Sequence, residues 1–488
     1  MCGFIGILGP RGRDVIHEIY DGLVSIQHRG QDAAGACTHN GRFHLKRGMG
    51  LVREVFRDDT LDRLRGNLGI GHVRYPTVGG GSTDDAQPFL VKAPFGISMA
   101  HNGNLTNFYD LKKELTERDR FMVDSNCDLE AILQCFAHAL SQTNVSRPNE
   151  EAVFKAVSRV FERCKGAYSV VGMIAGFGLV AFRDPYGIKP IMLGERVESD
   201  GRKSYCVASE SVLLDLLDYH HTSNLRAGEA VAIRLDGTVT RRQIRHEPHH
   251  PCLFEWVYFA RPDSFLDKVS VYKSRLRMGE ALAEKWRETG IAVDVVMPVP
   301  ESARDAALAM AQKLVVKYRE GFVKNRYIGR TFIMPDNEQR KRSIRHKLNA
   351  IQLEFKDKDV LLVDDSIVRG NTSREIVQMA REAGARKVYF ASCSPPLRHP
   401  CVYGIDMSTK TEFIARGRTD EQIAQEIGAD RVLYQELGDL EVAVREGNPE
   451  LTQFCNACFS GRYPTRDVTQ DVLDRIEGER LLAHSKDS

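Results

Sequence analysis

The sequence predicts an α+β half, with antiparallel sheets covered by helices, followed by an α/β half built on a parallel sheet. Three observations carry that expectation. The chain has 488 residues, more than a single core usually organises. Its first half, to about Asp236, mixes short β-rich runs with two or three amphipathic helices, whereas helix and strand alternate regularly further on. Between the two, Arg245–Pro251 reads RHEPHHP, polar and proline-containing, and marks the boundary.

The elements follow in order. Val15, Ile19, Leu23 and Ile26 recur at helical spacing, opened by Asp14 and closed by Gly30. Asn40-Gly41, between Cys37-Thr38 and Phe43-His44, is a hairpin-turn signal. Tyr168–Ala175 and Leu179–Phe182 read as buried strands. Past the boundary, Val271–Arg287 reads as a helix, Val293–Met297 a strand, Ala303–Val316 a helix and Val360–Val363 a strand. Thr372–Ala383 is then a helix and Lys387–Ser392 a strand. This alternation implies parallel βαβ units with ligands beyond the carboxyl ends of the strands. From Arg466 the chain is charged and reads as a frayed tail.

Composition narrows the function. A net charge of +2 argues against a general nucleic-acid or membrane coat. No apolar run approaches the ~18–20 residues that span a bilayer. The opening MCGFIGILGP is short, broken by glycines and lacks a leading basic region, unlike a signal peptide. Eleven cysteines without an export signal point to a reducing, cytoplasmic setting and exclude a disulfide-stapled scaffold.

Cys2 follows the initiator Met directly. A small second residue permits Met removal, leaving a thiol (pKa ~8.5) and an α-amine (~7.7–8.0) on one residue. The amine can take the thiol proton at neutral pH, so nucleophile and base come together. Gly71-His72-Val73-Arg74-Tyr75-Pro76-Thr77 ends a strand with a guanidinium able to grip a carboxylate. His101-Asn102-Gly103-Asn104 offers an amide side chain and an unobstructed backbone N–H, the two donors of an oxyanion hole. Asp128, opening a helical run, could cap that helix or hold a substrate ammonium.

With Gln27-His28-Arg29-Gly30-Gln31-Asp32 and Arg183-Asp184-Pro185-Tyr186-Gly187-Ile188-Lys189-Pro190, these residues resemble the glutaminase domain of the N-terminal-nucleophile amidotransferases, from about Cys2 to Asp236. The resemblance implies an αββα sandwich in which Cys2 attacks the glutamine side-chain amide. It further implies that Asn102 and Gly103 stabilise the oxyanion, while Arg74 and Asp128 bind the α-carboxylate and α-amine.

In the second half the apolar run Val360–Val363 leads into Asp364-Asp365 and then Ser366-Ile367-Val368-Arg369-Gly370-Asn371-Thr372-Ser373. Paired carboxylates at a strand's carboxyl end can hold ribose hydroxyls or a hydrated Mg²⁺. The helix that follows presents N–H groups suited to a 5′-phosphate. No GxxxxGK[ST] loop occurs. The segment resembles the phosphoribosyl-pyrophosphate fingerprint of the type I phosphoribosyltransferases, which implies substrate contacts from Asp364 and Asp365, from Ser366, from Arg369 to Gly370 and Asn371, and from Thr372 and Ser373. Ser302, in Pro298-Val299-Pro300-Glu301-Ser302, fits that family's companion loop and would join Asp364 and Asp365 at Mg²⁺. Lys324 to Lys347 holds eight Lys or Arg against Asp336 and Glu338. This could be a solvated basic face or an RNA contact; it also resembles the family's mobile loop, with Arg330 and Lys347 closing over the polyanionic substrate.

An amidotransferase followed by a phosphoribosyltransferase resembles the glutamine-dependent phosphoribosyl-pyrophosphate amidotransferase family. The resemblance implies domains at 2–238 and 250–465 with a tail at 466–488. It also implies glutamine and phosphoribosyl pyrophosphate as substrates, a homo-oligomer (dimer or tetramer) and purine nucleotides as feedback inhibitors, with neither nucleic acid nor membrane as partner. Cys455-x-x-Cys458 has metal or redox spacing, and His-Pro-Cys recurs at Cys252 and Cys401. A Cys₄ set could hold Zn²⁺ or a [4Fe–4S] cluster, which ligand count does not separate, or could be four unliganded thiols. The family divides into members with a cluster and members without, and this chain carries its cysteines where the cluster-bearing members do. Cys37, Cys127, Cys135, Cys164, Cys206 and Cys393 have no such match and read as core residues. Two other readings remain: the same glutaminase feeding a different acceptor, and a nucleic-acid-binding regulator on a phosphoribosyltransferase fold.

Overall fold

The computed structural model describes residues 1–75, 83–325, 348–405 and 412–486, with side chains described up to 478. Arg330 and Lys347, with most of the basic segment, lie outside the described residues.

Two antiparallel sheets stack in the first half. One is seven-stranded, in the spatial order His220–Asn224, Met192–Val197, Lys203–Ala208, Gly3–Leu8, Leu68–Arg74, Ala33–His39 and Phe43–Met49. The other is six-stranded, in the order Val239–Gln243, Glu229–Arg234, Gly178–Arg183, Gly166–Ile174, Ile97–Leu105 and Phe89–Val91. The period of two explains the stacking. Along Gly3–Leu8, Phe4 and Leu8 pack with Val171, Met173 and Leu179 of the other sheet, while Ile5 and Ile7 face the helix Ile16–Ser25. At Gly6 a Cβ would come within 2.5 Å of Val171, so only glycine lets the sheets approach there. The helices Asp128–Ser141 and Glu150–Arg163 cover the outer face of the second sheet. Phe136, on the first of these helices, is fully buried against Phe182 of the sheet, and its truncation to Ala would cost about 3–5 kcal/mol. The half is therefore an αββα sandwich.

In the second half a five-stranded parallel sheet runs Lys317–Tyr318, Val295–Pro298, Asp359–Asp364, Lys387–Ser392 and Arg431–Tyr434. Val360 and Leu362 face the layer containing the helices Asn371–Glu382 and Asp420–Ile427, while Leu361 and Val363 face that of Val271–Glu288 and Arg304–Leu314. A strand covered on both sides has no polar face, which is why it reads as an unbroken apolar run.

Two local expectations are corrected. Asp14 does not cap the first helix, whose N-cap is Val15; its Oδ1 accepts instead from the Gly66 N–H at 2.7 Å. The tail is not frayed: Gln470–Lys486 is a helix, anchored on the first half where Thr106 donates to Asp467 at 2.5 Å. The spacing of Val472 and Ile476, one helical turn apart, carried that signal beneath the charge. Among the described residues no helix is long and apolar enough to cross a membrane.

The halves are joined by buried polar contacts. Arg183 donates bidentately to Asp267 at 2.7 and 2.9 Å. Arg29, fully buried, lies between Glu210 and Glu255, with Nη2 2.7 Å from Glu255 Oε2. Glu210 also accepts from the Ser264 hydroxyl at 2.6 Å and the Arg261 N–H at 2.7 Å.

Candidate active sites

A pocket in the first half is lined by Cys2, Arg74, Gly103 and Asp128. Four elements converge on it. Cys2 precedes the strand Gly3–Leu8, Arg74 ends Leu68–Arg74, Gly103 lies on Ile97–Leu105, and Asp128 opens the helix Asp128–Ser141. The Cys2 backbone N–H donates to Asn102 Oδ1 at 3.1 Å, and its thiol faces the Tyr75 carbonyl oxygen at 3.6 Å. Asn102 is fully buried, and among the described residues its Nδ2 has no hydrogen-bond partner. Such a group is costly unless something binds it.

Arg74 is buried against two carboxylates, with Nη1 2.9 Å from Asp32 Oδ2 and Nη2 3.6 Å from Asp85. Burial pushes the Asp85 carboxyl up, and Arg74 opposes that. Asp128 is the first helical residue, and Cys127 takes the N-cap. The Asp128 Oδ2 accepts the Leu105 N–H at 2.7 Å, and its Oδ1 lies 3.2 Å from His101 Nε2. His101 is in turn fixed by Gln87, whose Oε1 accepts its N–H at 2.8 Å and whose Nε2 lies 3.0 Å from Nδ1. Cys127, expected only as a core residue, also lines the pocket. Met1 is buried, and burial lowers its α-amine to about 5.

In the second half the parallel sheet delivers Asp364 and Asp365 at the carboxyl end of Asp359–Asp364, both nearly buried. Ser302 and Ser366 donate to the two oxygens of Asp365 at 2.5 and 2.6 Å, and the Asp365 N–H donates to Asp364 Oδ1 at 2.9 Å. Burial and then the neighbouring Asp365 raise the Asp364 carboxyl well above its usual range; burial raises Asp365 as well. Among the described residues neither carboxylate makes a salt bridge, and the buried Arg275 guanidinium opposes the rise at Asp365 only in part. Gly370, at φ +79°, turns the chain into Asn371–Glu382, with Thr372 and Ser373 in its first turn. Arg369, expected on the substrate, is 3.2 Å from Glu412.

Cys252, Cys401, Cys455 and Cys458 are buried in one core cluster. A parallel bridge aligns Cys252 with Cys455, and the Arg398 and His399 N–H groups both donate to the Cys458 carbonyl at 3.1 Å. Burial raises the Cys458 thiol well above its ordinary value, and the thiols of Cys401, Cys252 and Cys455 raise it further. Four thiols thus converge from three distant segments, a donor set suited to Zn²⁺ or an iron–sulfur cluster. Among the described residues no three His, Cys, Asp or Glu side chains stand ready-made at metal-ligand spacing.

Residues 73–215 match the family of the glutamine amidotransferase domain. The chain is 52% identical to the amidophosphoribosyltransferase of Pseudomonas aeruginosa, over 98% of this chain and 96% of that one. It is 50% identical to that of Escherichia coli, over 98% and 95%. The chain belongs to the amidophosphoribosyltransferase family. The same architecture occurs in the glutamine phosphoribosylpyrophosphate amidotransferase of Bacillus subtilis, solved with ADP and GMP, with a TM-score of 0.84 and 35% identity over 96% of this chain and 98% of that one. Within this amidophosphoribosyltransferase architecture, sequence reasoning gave no role to His101 or Gln87 in the pocket beside Cys2, nor to Arg475 and Ile476 of the last helix, which also line it. His101 was visible beside Asn102; the last helix could be placed only by its docking.

Proposed function

We propose that Cys2 hydrolyses glutamine and that the ammonia passes inside the protein to phosphoribosyl pyrophosphate, giving 5-phosphoribosylamine, pyrophosphate and glutamate, the first committed step of de novo purine synthesis. The observation that carries this reading is the Asn102 amide, whose Oδ1 holds the Cys2 N–H and whose Nδ2 has no partner among the described residues.

Removal of Met1 frees the Cys2 α-amine, which Asn102 Oδ1 orients. The amine takes the thiol proton, and the thiolate attacks the amide carbon. Asn102 Nδ2 and the Gly103 N–H bind the oxyanion, which is worth several kcal/mol in a water-excluded site. The ammonium formed at the α-amine returns its proton to the departing nitrogen, and water then cleaves the thioester to glutamate. Arg74 and Asp128 orient the substrate's α-carboxylate and α-amine.

Asp364, Asp365 and Ser302 would hold Mg²⁺, whose contribution when bound is to neutralise the pyrophosphate leaving group. Asp364, Asp365 and Ser366 orient the ribose, while Gly370, Asn371, Thr372 and Ser373 cradle the 5′-phosphate at a helix N-terminus. Arg369, Arg330 and Lys347 belong to the same reading as substrate contacts. Ammonia displaces pyrophosphate at C1, and shelter from water keeps it unprotonated and nucleophilic.

Cys252, Cys401, Cys455 and Cys458 would hold a [4Fe–4S] cluster, which when bound supplies a covalent pin between the segment carrying Cys455 and Cys458 and the body of the transferase half. We assign residues 2–238, 250–465 and 466–488 to glutaminase, transferase and tail. A cytoplasmic homo-oligomer under purine-nucleotide feedback completes the reading. Tracing amide-labelled nitrogen from glutamine into phosphoribosylamine tests it: retention of label against unlabelled ammonium in the buffer is expected, and free dilution would overturn channelling.

A further inference from the structure

Gln87, His101 and Asp128 line the pocket beside Cys2, and Gln87 and His101 are almost wholly buried in its wall. The His101 backbone is held at both of its polar ends. Its N–H donates to Gln87 Oε1 at 2.8 Å, and its carbonyl accepts from His72 Nε2 at 3.1 Å. The first of these contacts settles which way the Gln87 amide points, because a backbone N–H can only donate and must meet the oxygen. The other end of the amide is therefore the NH₂ group. It lies 3.0 Å from His101 Nδ1 and 3.5 Å from Cys127 Sγ, so it can give one N–H to each.

A donor aimed at Nδ1 fixes where the ring carries its proton. Nδ1 must keep its lone pair, and the proton sits on Nε2. That nitrogen lies 3.2 Å from Asp128 Oδ1, close but not aligned as a hydrogen bond. With the proton on Nε2 the contact is attractive; with the proton on Nδ1, two lone pairs would face each other across it. The other carboxylate oxygen, Oδ2, is fixed separately by the Leu105 N–H at 2.7 Å. One oxygen is thus held by backbone and the other by a ring whose proton has been placed from behind. Because the ring contact is not a full hydrogen bond, Oδ1 keeps acceptor capacity for a cation in the pocket.

We infer that Gln87 and His101 are positioning residues for recognition of the substrate's α-ammonium: Gln87 fixes the His101 tautomer, and the Nε2 proton holds the Asp128 carboxylate turned to receive that group. The inference rests on reading Asp128 as the acceptor of the α-amine. Neither Gln87 nor His101 is given a step in the chemistry. What they set is preference for a substrate that carries an α-amine.

The probe is glutaramate, which is glutamine without its α-amine. Its inhibition constant is measured beside the glutamine KM and kcat in wild type, Gln87→Glu and Gln87→Met, each as the full chain. Gln87→Glu still accepts the His101 N–H but offers Nδ1 an acceptor in place of a donor. The ring then either turns a lone pair on Asp128 or becomes a cation that competes with the substrate's ammonium. Gln87→Met keeps the volume and offers no donor. Both variants are expected to raise the glutamine KM roughly 10- to 100-fold, the loss typical of a hydrogen bond to a charged group, with kcat changed much less and glutaramate inhibition near wild type. An unchanged glutamine KM in Gln87→Glu would overturn the inference. So would equal weakening of glutamine and glutaramate in both variants, because Gln87 would then shape the pocket as a whole. Nitrogen NMR of histidine-labelled wild type, with the His101 signals assigned by their loss in His101→Gln, reads the tautomer directly; a proton on Nδ1 would overturn the lock. Wild type that binds glutaramate as tightly as glutamine would instead remove the assignment of Asp128 to the α-amine, on which the inference stands.

Discussion

Asn102 holds Cys2 with one end of its amide: Oδ1 accepts the Cys2 N–H at 3.1 Å, while Nδ2 is buried and has no partner among the described residues. One side chain thus places the nucleophile and holds a donor for charge that exists only during reaction. Asn102→Ala should lower the glutaminase kcat by about 10²–10³ with a far smaller effect on the glutamine KM. Steady-state kinetics decide it, and a pure KM effect would contradict the oxyanion role.

Cys2→Ala should abolish glutamine-dependent pyrophosphate release and leave synthesis from added ammonium salts. Pyrophosphate assays with each nitrogen source measure the split; equal loss of both would refute the division of labour.

Asp364→Asn should weaken synthesis from both nitrogen sources while stabilising the metal-free protein at alkaline pH. The sign follows from the raised Asp364 carboxyl, for which the native state binds more protons than the unfolded chain. Stability of the metal-free wild type therefore falls as pH rises from the ordinary carboxylate value, near ~3.9, through the raised one. Thermal melts across pH, with and without Mg²⁺ and substrate, test this; a variant less stable than wild type at pH 8 would count against it.

Glu255→Gln should cost about 3–5 kcal/mol, because it leaves the fully buried Arg29 without one of its two carboxylates. Burial opposes ionisation of Glu210, yet Arg29 and His28 hold its carboxyl far below the usual range. Its contribution is thus complete above an ordinary glutamate value of ~4.3 and fades as pH falls below that. Urea unfolding at pH 7 and pH 4 reads both effects, and equal stability of Glu255→Gln and wild type at pH 7 would remove the argument.

In the last helix, Ile476 should matter more than Arg475. Arg475 pairs with an exposed Asp110 at 3.1 Å, a contact worth about 0.2–1 kcal/mol, whereas Ile476 is buried against the pocket. Ile476→Ala should raise the glutamine KM and spare ammonia-driven synthesis, with Arg475→Ala near wild type. The opposite ranking in glutamine titrations would show that the ion pair does the holding.

Much of this protein was legible in one dimension. The sandwich followed from β-rich runs and a hairpin turn at Asn40-Gly41, and the parallel sheet from the two-sided apolar strand ending at Asp364. Cys2, Arg74, Asn102 and the acid pair could be named because local chemistry marks them: a terminal thiol, a strand-end guanidinium, an amide beside glycine, and two acids after an apolar run. Their partners could not. Asp32 on Arg74, His101 on Asp128 and Ile476 over the pocket are choices made by packing between segments far apart in the chain. Residue type limits what a side chain can do, but distance, burial and the company of other charges decide what it does, and those exist only once the chain has closed on itself.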